Sequence, residues 1–536
     1  MINPEKLRQL FELAKNYKDD IKSLYNKTYE LTDPLFKISD SGKREKHTKR
    51  KIDSTILTSM RFLNNFIMSS LFSRNGTWGV LEINPLAYAS KYNVDKESSE
   101  QAISVTNKSM QKNSETVCKY INNSNMYVET AKAMRDCENV GTGIRKTVLL
   151  KSMTKPFTYE YVSPDNFYML EDSFGSPALT FKVYPEKTLE QLNDMFGYMK
   201  SFHIPEMTDE EEIGEKKNIL ETVIPEFDEN KSETVYHHII SDEKYDEIYA
   251  EETLSFHPFR VFRWSIINSN PWGLGIGAEN NEIFEELEEY KKLRKEHSKL
   301  IVSPPVGFRG NLDLMYKVDL SPGAVNPLGY GNSPDDNMGI EPINLGTQLI
   351  PVDQDIQDCR QRIREIFMAQ PLGDVGDTKN RSATEMSLRH EMFRKEFSGT
   401  YELLNTELLS VTFMDAYLIL TERGIIENKD VDLDVSQITY VNELTKSAGY
   451  EEVMNTVDWY SLNAGLVGEE LKKNLLNIPE FTRWSAEKML VNLSVVPEKK
   501  DIDAGITQAE QIQKMQALGN INNEALNPQI EQLIGG

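Results

Sequence analysis

Apolar residues recur with helical spacing near the start of the chain. Residues 5–30 mix charged and apolar positions in an amphipathic pattern. From about Asp53 to Phe72 an apolar face repeats every three or four residues, which is the spacing of one side of an α-helix. This face consists of Ile56, Met60, Leu63, Ile67 and Leu71. Asp53 or Ser54 can cap the start of the second helix. The pattern predicts two amphipathic helices in this region.

After the second helix the pattern changes to short runs typical of strands. β-Branched and aromatic residues, partly in alternation, predict strands over 77–84, 144–150, 157–162, 233–240 and 259–267. Residues 172–184 predict a hairpin with Gly175 at its turn. Two further helices are predicted over 124–140 and 187–197. Residues 206–232 are polar and acidic and predict a surface loop or short helices. The N-terminal half is therefore predicted to be α+β.

The middle of the chain predicts a long helix, an irregular segment and a second helix. The first helix runs from Ala278 to about Leu300 and should measure roughly 35 Å. Its first half is rich in Glu and its second half in Lys and Arg, in part because that order suits the helix dipole. Residues 301–348 are rich in Pro and Gly, and helix resumes over about 353–369.

The helical pattern is then interrupted once more. It breaks across 370–381 and restarts at Ser382 with the capping box SATE, from which it extends towards Arg423. Residues 441–495 predict several shorter helices, and the Gln- and Asn-rich end predicts a mobile tail.

Composition narrows the class of protein. The chain has 536 residues, 39% of them hydrophobic and 27% charged, which suits two to four folded domains. No apolar run approaches the length of a membrane span and the N-terminus lacks a signal-peptide core, so we expect a cytoplasmic chain without membrane association. Cys118, Cys137 and Cys359 form no CxxC pair and predict reduced, buried thiols.

The net charge of −24 disfavours tight, sequence-independent DNA binding, because such binding neutralises phosphates with Lys and Arg. The acidic excess suits an ordinary solvated surface, and it equally suits a pore through which DNA slides without sticking. The basic run at residues 43–51 would either contact nucleic acid or lie on a solvated surface. Charge alone does not separate these interpretations.

No motif of an enzyme stands out. The seven histidines are scattered and no GxxxxGK[ST] phosphate loop occurs. Gly273, Gly275 and Gly277 precede the long helix, but their spacing is GxGxG and no βαβ unit surrounds them, so a flexible joint is favoured over a dinucleotide site. Gly373, Asp374, Gly376 and Asp377 lack the spacing and the final Glu of an EF-hand. We expect no cofactor and no metal.

The order of elements resembles the portal, or head-to-tail connector, family of short-tailed double-stranded DNA bacteriophages. Four segments carry the resemblance over about 50–420, although Asn270-Pro271-Trp272 departs from the family pattern and 206–232 looks like an insertion. They are IDSTILTSMRFLNNFIMSSLFSRNGTWGVLEI (52–83), SPDNFYMLEDSFGSPALTFK with TLEQLNDMFG (163–197), FRWSIINSNPWGLGIG (262–277) and NRSATEMSLRHE (380–391). VSPPV and LSPGAVN are similar to the family's clip.

The resemblance implies an α+β portal fold that assembles as a dodecameric ring. Its parts would be a wing (1–272), a first stem helix (273–300), a clip (301–348), a second stem helix (349–369), a tunnel loop (370–381), a wing helix and return (382–440), a helical crown (441–500) and a mobile C-terminal tail (501–536). The implied function is a channel at the capsid vertex for DNA packaging and ejection, and a platform for terminase and tail attachment.

The resemblance also implies partners and site residues. Partners would be further copies of the chain, double-stranded DNA bound without sequence specificity, the large terminase subunit, tail adaptors, and the capsid and scaffolding proteins. The chain would be made in the host cytoplasm and kept in the virion. The DNA-proximal tunnel loop would include Gly373, Asp374, Gly376, Asp377, Lys379 and Arg381. The stem charges would be Arg362, Arg364, Lys295 and Lys299, for which salt bridges between subunits are an equal alternative. The clip would dock its partners through Pro304, Pro305, Arg309 and Pro322.

Two other functions stay open at this point. One is a nucleotide-dependent enzyme that uses the glycines at 273–277, and the other is a different oligomeric scaffold protein of the virion. A ring with a central hole would separate all three.

Overall fold

A computed structural model describes most of the chain. The described residues are 4–33, 53–72, 76–92, 96–197, 199, 201–203, 216–228, 233–308, 319, 321–327, 340–342, 350–369, 395–426, 436–440, 443–465 and 475–489. They fall into two units: the first draws on residues 1–69, 120–380 and 398–427, and the second on 70–119, 381–397 and 428–536. Both helices and strands are present, so the fold class is α+β.

The described helices and strands follow in chain order. The helices are α1 (Pro4–Thr32), α2 (Ser54–Leu71), α3 (Pro85–Tyr92), α4 (Lys96–Asn122), α5 (Met126–Asn139), α6 (Leu189–Phe196), α7 (Ile276–Glu279), α8 (Asn281–Val302), α9 (Ile350–Ile366), α10 (Ser398–Leu404), α11 (Val411–Glu422), α12 (Glu443–Ala464) and α13 (Ile478–Lys488). The strands are β1 (Gly79–Ile83), β2 (Thr142–Leu149), β3 (Phe157–Tyr161), β4 (Phe167–Glu171), β5 (Pro177–Lys187), β6 (Lys217–Asp228), β7 (Glu233–Asp242), β8 (Ile248–Leu254), β9 (Phe259–Arg263), β10 (Ile266–Ile267), β11 (Asn270–Gly273), β12 (Val306–Phe308), β13 (Val325–Pro327), β14 (Ile340–Pro342) and β15 (Ser436–Tyr440).

A five-stranded antiparallel sheet in the order β4-β5-β6-β7-β8 is the largest sheet of the first unit. Helix α1 covers one face, where Leu7, Phe11 and Ala14 pack against residues that include Phe181 and Leu220. Helix α6 covers the other face through Leu192 and Phe196. A second sheet, in the order β3-β2-β9, is also antiparallel.

The prediction of a loop or short helices over 206–232 is wrong where the structure describes it. Residues 217–228 form β6, the central strand of the large sheet. This strand shows no alternation because Ile219, Leu220 and Val223 are all fully buried, one face lying under α1 and the other under α6. The same strand carries the buried Glu221, and this acidic residue gives a core strand the composition of a surface segment. Residues 204–215 and 229–232 lie outside the described residues.

The segment from Ser398 to Glu422 is one helical run with an internal irregularity. Residues Asn405–Ser410 adopt π-helical turns between α10 and α11. By length and composition this run could cross a membrane, but 61% of its most apolar window is buried inside the protein. It also carries Glu407 and Asp415, which pair with arginines of β9. These features are those of a helix in the core of a folded unit.

The second unit contains a two-stranded sheet and helices. Strand β1 pairs antiparallel with β15, with Gly79 opposite Tyr440 and Ile83 opposite Ser436. Side chains of α4 continue the hydrogen bonding of β1, because Ser114 Oγ accepts from the amide of Leu81 at 2.9 Å. Trp78, the residue before β1, is fully buried and packs edge-on against Phe72.

Candidate functional site

Helices α8 and α9 form an antiparallel helical hairpin that ends in a small sheet. At its base the rings of Phe284 and Phe367 stack with centroids 6.1 Å apart. Farther along, Arg294 Nε lies 2.7 Å from Asp353 Oδ1. An apolar stripe on α9 (Ile356, Cys359 and Ile363) is buried. We call this element, residues 281–366 as far as they are described, the helical hairpin.

The hairpin is packed at its base and exposed beyond it. The buried residues of α8 are Asn281, Phe284 and Leu287, all in its first two turns. Leu293 and Ile301 are exposed, and Val302 at the end of α8 is 85% exposed. Apolar side chains left in solvent along one helix are typical of a surface that another chain covers.

The three glycines before the hairpin allow neighbouring segments to pack closely and do not form a flexible joint. A Cβ on Gly273 would lie 2.2 Å from the carbonyl oxygen of Gly141, and one on Gly275 would lie 2.6 Å from the Gly141 nitrogen. A Cβ on Gly277 would lie 2.5 Å from Asn139 Oδ1. The amide and carbonyl of Gly273 are occupied by Thr142 and Tyr25. The helix itself begins at Ile276 and breaks at Asn280, so the predicted single helix is two.

Asp53 ties α2 to both helices of the hairpin. Its Oδ1 accepts from the amide of Thr55 at 2.8 Å, which confirms Asp53 as the cap of α2. Its Oδ2 lies 3.0 Å from Lys291 Nζ and 3.0 Å from Arg360 Nη2. Burial pushes the pKa of this carboxyl up, but the hydrogen bonds from Thr55, Lys291 and Arg360 outweigh it and lower the pKa. The carboxylate stays ionised and fixes the orientation of the hairpin on α2.

The four predicted stem charges lie on the hairpin at two separate levels. Lys295, Lys299 and Arg362 are exposed, and Arg364 is half-buried. The contacts at the base and near the far end set the antiparallel register, so the arginines lie near the base and the lysines about 15 Å farther out. None of the four has an ion pair with another described residue. The structure therefore does not bring them together into one cluster.

The small sheet at the end of the hairpin has β12 in the middle, parallel to β13 and antiparallel to β14. Of the predicted docking residues, Pro305 is buried, Pro304 is half-buried and Pro322 is exposed. Pro322 sits in a turn where Gly323 has φ +78° and its amide donates to Ser303 at 2.9 Å. Arg309 lies outside the described residues, as do Gly373, Asp374, Gly376, Asp377, Lys379 and Arg381 of the predicted tunnel loop.

Buried ion pairs anchor the helical run 398–422 and were not predicted. Arg263 bonds Glu407 through Nε at 3.0 Å and Glu171 through Nη1 at 2.6 Å. Arg260 holds Asp415 with two hydrogen bonds. The available signal was the pattern FRVFR in β9, with two arginines in an apolar strand, together with single carboxylates in an apolar helix.

The chain matches the model of the family described as "Bacteriophage head to tail connecting protein" over residues 4–496. The chain belongs to this family. No curated protein matches it. The match covers the helical hairpin and most of both units, so the resemblance in the sequence is confirmed, and the chain has the portal function of a head-to-tail connector.

Membership in the connector family has direct consequences for class and location. Members of the family are generally structural proteins that assemble as oligomers and associate with the capsid and the tail. The chain is accordingly a virion protein of the capsid vertex. Among the described residues no group of His, Cys, Asp and Glu has an arrangement that could hold a metal ion. Nothing found favours the enzyme or the alternative scaffold protein.

Proposed function

We propose that this connector acts as a dodecameric ring whose channel is lined by the helical hairpins and conducts double-stranded DNA in packaging and ejection. The observation that carries the proposal is the exposed length of the hairpin. Its base is buried, whereas its outer part presents apolar and charged side chains to solvent. A single chain leaves this surface uncovered, and neighbouring hairpins in a closed ring would cover it.

The other segments of the chain take the remaining roles of a connector subunit. Residues 1–272 serve as the wing, which contacts capsid or scaffolding protein. The segment 301–348 is the clip, which docks the large terminase subunit and later the tail adaptors. Residues 370–381 form the tunnel loop, 382–440 return to the wing, 441–500 form the crown and 501–536 the tail. Assembly takes place in the host cytoplasm.

Charge supports a channel that guides DNA without holding it. The chain carries −24 net charge, and a ring multiplies that excess, so phosphates passing the wall are repelled on average. The two levels of cations on the hairpin, Lys295 with Lys299 and Arg362 with Arg364, supply weak, transient attraction. The alternative role of these four residues is to bridge to carboxylates of adjacent subunits.

Imaging of the purified full chain by negative-stain electron microscopy tests the proposal. We expect closed rings with an axial hole, and native mass spectrometry should give the mass of twelve chains. A protein that stays monomeric at high concentration, with or without scaffolding protein, would contradict it. A titration with ATP or NAD should show no saturable binding, because the glycines at 273–277 are filled by backbone contacts.

A further inference from the structure

The first half of α8 presents a row of three carboxylates on one side of the helix. Glu282, Glu286 and Glu289 follow the spacing i, i+4, i+7, which brings their side chains next to one another. All three are exposed, and none has an ion pair with another residue that the structure describes. We call this row the acidic stripe. Glu285, which lies outside the row, is paired with Lys27 of α1 at 3.1 Å.

The charges of the acidic stripe repel one another within a single chain. Carboxylates three or four positions apart on a helix are neighbours, and like charges at that spacing destabilise the helix. The helix dipole offsets such charges only within the first turn, which contains Glu282. Glu286 and Glu289 lie in the second and third turns, so a positively charged partner would stabilise them.

Two contacts fix the level of the acidic stripe on the hairpin. At the base, the Phe284 ring of α8 stacks on the Phe367 ring that follows α9. Farther along, Asp53 Oδ2 lies 3.0 Å from both Lys291 Nζ of α8 and Arg360 Nη2 of α9. The stretch of α8 between its two contact residues is therefore level with the stretch of α9 between its own two.

Arg362 supplies a cation at the level of the acidic stripe. It lies between the two contacts on α9, just as Glu286 and Glu289 lie between the two contacts on α8. Arg362 is exposed and forms no ion pair in the described part of the chain, not even with Asp358 one turn earlier on α9. An arginine presents five donors in a fixed fork, enough to bind two carboxylates at once.

We propose that Arg362 of one subunit binds the acidic stripe of the next copy of the chain in the ring. This inference rests on the proposed ring, in which the hairpins stand side by side along the channel. In a closed ring two different surfaces of each subunit meet, and the rotation that relates neighbours leaves every residue at the same height along the axis. Groups that are level on one hairpin are therefore level across the interface. Of the two roles open to Arg362, attraction of DNA and bridging to an adjacent subunit, opposite charges at one level favour the second.

Charge reversal on two separate chains tests the pairing. The stripe variant carries Glu286→Lys with Glu289→Lys, and the arginine variant carries Arg362→Glu. Each variant alone places like charges at every interface, so the concentration needed for half-assembly should rise at least about tenfold.

A mixture of the two variants should assemble again. In a ring that alternates them, the arginine of the stripe variant meets an intact stripe, and the new glutamate of the arginine variant meets the new lysines. Half-assembly of the mixture should return to within about threefold of the concentration that the unsubstituted chain needs. With one variant labelled with heavy nitrogen, native mass spectrometry should find equal numbers of heavy and light chains in each ring.

The matched control reverses two exposed acids on α6. Glu190→Lys with Asp194→Lys changes the net charge by the same amount as the stripe variant and should leave assembly unchanged. Circular dichroism should show the same folded signal for every variant. If the stripe variant does not fold, Glu286→Gln with Glu289→Gln replaces it and should still raise the concentration for half-assembly by about threefold or more.

The outcomes separate this inference from the ring itself. An unsubstituted chain that remains monomeric would contradict the proposed function and this inference together. Single variants that assemble like the unsubstituted chain would overturn the inference alone, and rings of the arginine variant that also retain less DNA would assign Arg362 to the channel. Weak assembly of both variants without recovery in the mixture would overturn it, because the pairing would then lie within one chain. Equal weakening by the control would overturn it in favour of net charge.

Discussion

The carboxylate of Glu221 lies between the five-stranded sheet and the β3-β2-β9 sheet and accepts from three donors. Lys146 Nζ of β2 is 2.6 Å away, His238 Nε2 of β7 is 2.7 Å away, and the Tyr184 hydroxyl of β5 is 2.7 Å away. Burial alone would raise the pKa of Glu221, but Lys146 and His238 outweigh it and the pKa is lowered. The stabilising contribution of this carboxylate is therefore fully present above the ordinary pKa of glutamate and is lost only in strong acid.

Glu221→Gln should lower the free energy of unfolding by about 3 kcal/mol or more, because it removes the negative charge that lies 2.6 Å from the buried Lys146 ammonium. Urea unfolding at neutral pH measures the change. Glu226→Gln is the matched control on the same strand: its carboxylate is exposed and pairs with His237 at the surface, so the change should stay within about 0.5 kcal/mol. Equal effects of the two substitutions would mean that the buried pair contributes nothing.

The carboxyl of Asp136, at the end of α5, makes the stability of the fold depend on pH in the opposite direction. Burial raises the pKa of Asp136 to about 7, while hydrogen bonds from Tyr161 and Tyr29 and the nearby Arg135 act in the other direction. A folded state that holds the proton more tightly than the unfolded state loses stability as pH rises between the two pKa values. The loss should be about 1.4 kcal/mol per pH unit between about pH 4 and pH 7.

Asp136→Asn should remove this slope. The stability of the variant relative to the unsubstituted chain should rise from pH 4 to pH 7 and then stay constant, as measured by urea midpoints at several pH values. Asp194→Asn, an exposed position on α6, should run parallel to the unsubstituted chain across the same range. A parallel curve for Asp136→Asn would show that its carboxyl is not the buried acid described.

Individual contacts of this kind could not be predicted from the sequence. Asp53, one of the two residues predicted to cap α2, could be found because the capping bond is local. Its pairs with Lys291 and Arg360 join residues more than 200 positions apart, and no local pattern indicates them. The same holds for Glu221, whose partners lie on three other strands.

Elements with a clear local pattern of apolar residues were predictable. Helices α1 and α2 and strands β2, β3 and β7 lie close to their predicted bounds. Strand β6 was missed because its apolar residues do not alternate with polar ones and the buried Glu221 interrupts their run. The hairpin followed from two helical patterns around a Pro- and Gly-rich segment, but the break at Asn280 and the packing of the glycines depend on Gly141 and Asn139, which lie far away in sequence.

The close packing of Gly275 before the hairpin can be tested by substitution. Gly275→Ala should destabilise the first unit by roughly 1–3 kcal/mol, because its Cβ would meet backbone atoms of Gly141 and Asn139 that cannot move aside easily. Gly399→Ala is the control: it lies in α10 with nothing within 4 Å of the new Cβ, so the change should stabilise by about 0.5–1 kcal/mol. Thermal unfolding measures both. A neutral Gly275→Ala would support the flexible joint instead.

At the scale of the whole molecule, the proposed channel would act on DNA through both the acidic excess and the cations of the hairpin. In the proposed ring the wall repels phosphates on average, and the exposed lysines at the outer level of the hairpin provide local attraction. Attraction of this kind acts over about 8 Å at physiological ionic strength, so only cations that face the channel contribute. The two lysines therefore distinguish a channel wall from an outer surface.

Replacing Lys295 and Lys299 together with Gln should leave ring formation unchanged, because both side chains are exposed and neither has an ion pair with a described residue. Retention of packaged DNA should fall at low salt, and the difference from the unsubstituted ring should shrink as salt screens the lost attraction. The matched control replaces Lys151 and Lys155, exposed residues of the β2–β3 loop, with Gln and removes the same charge from each chain. The amount of DNA protected from nuclease in each particle, measured over a series of salt concentrations, reports the result.

If both double variants lose DNA equally, net charge decides retention and the hairpin does not line the channel. If the hairpin variant fails to form rings, the lysines bridge subunits instead of facing DNA.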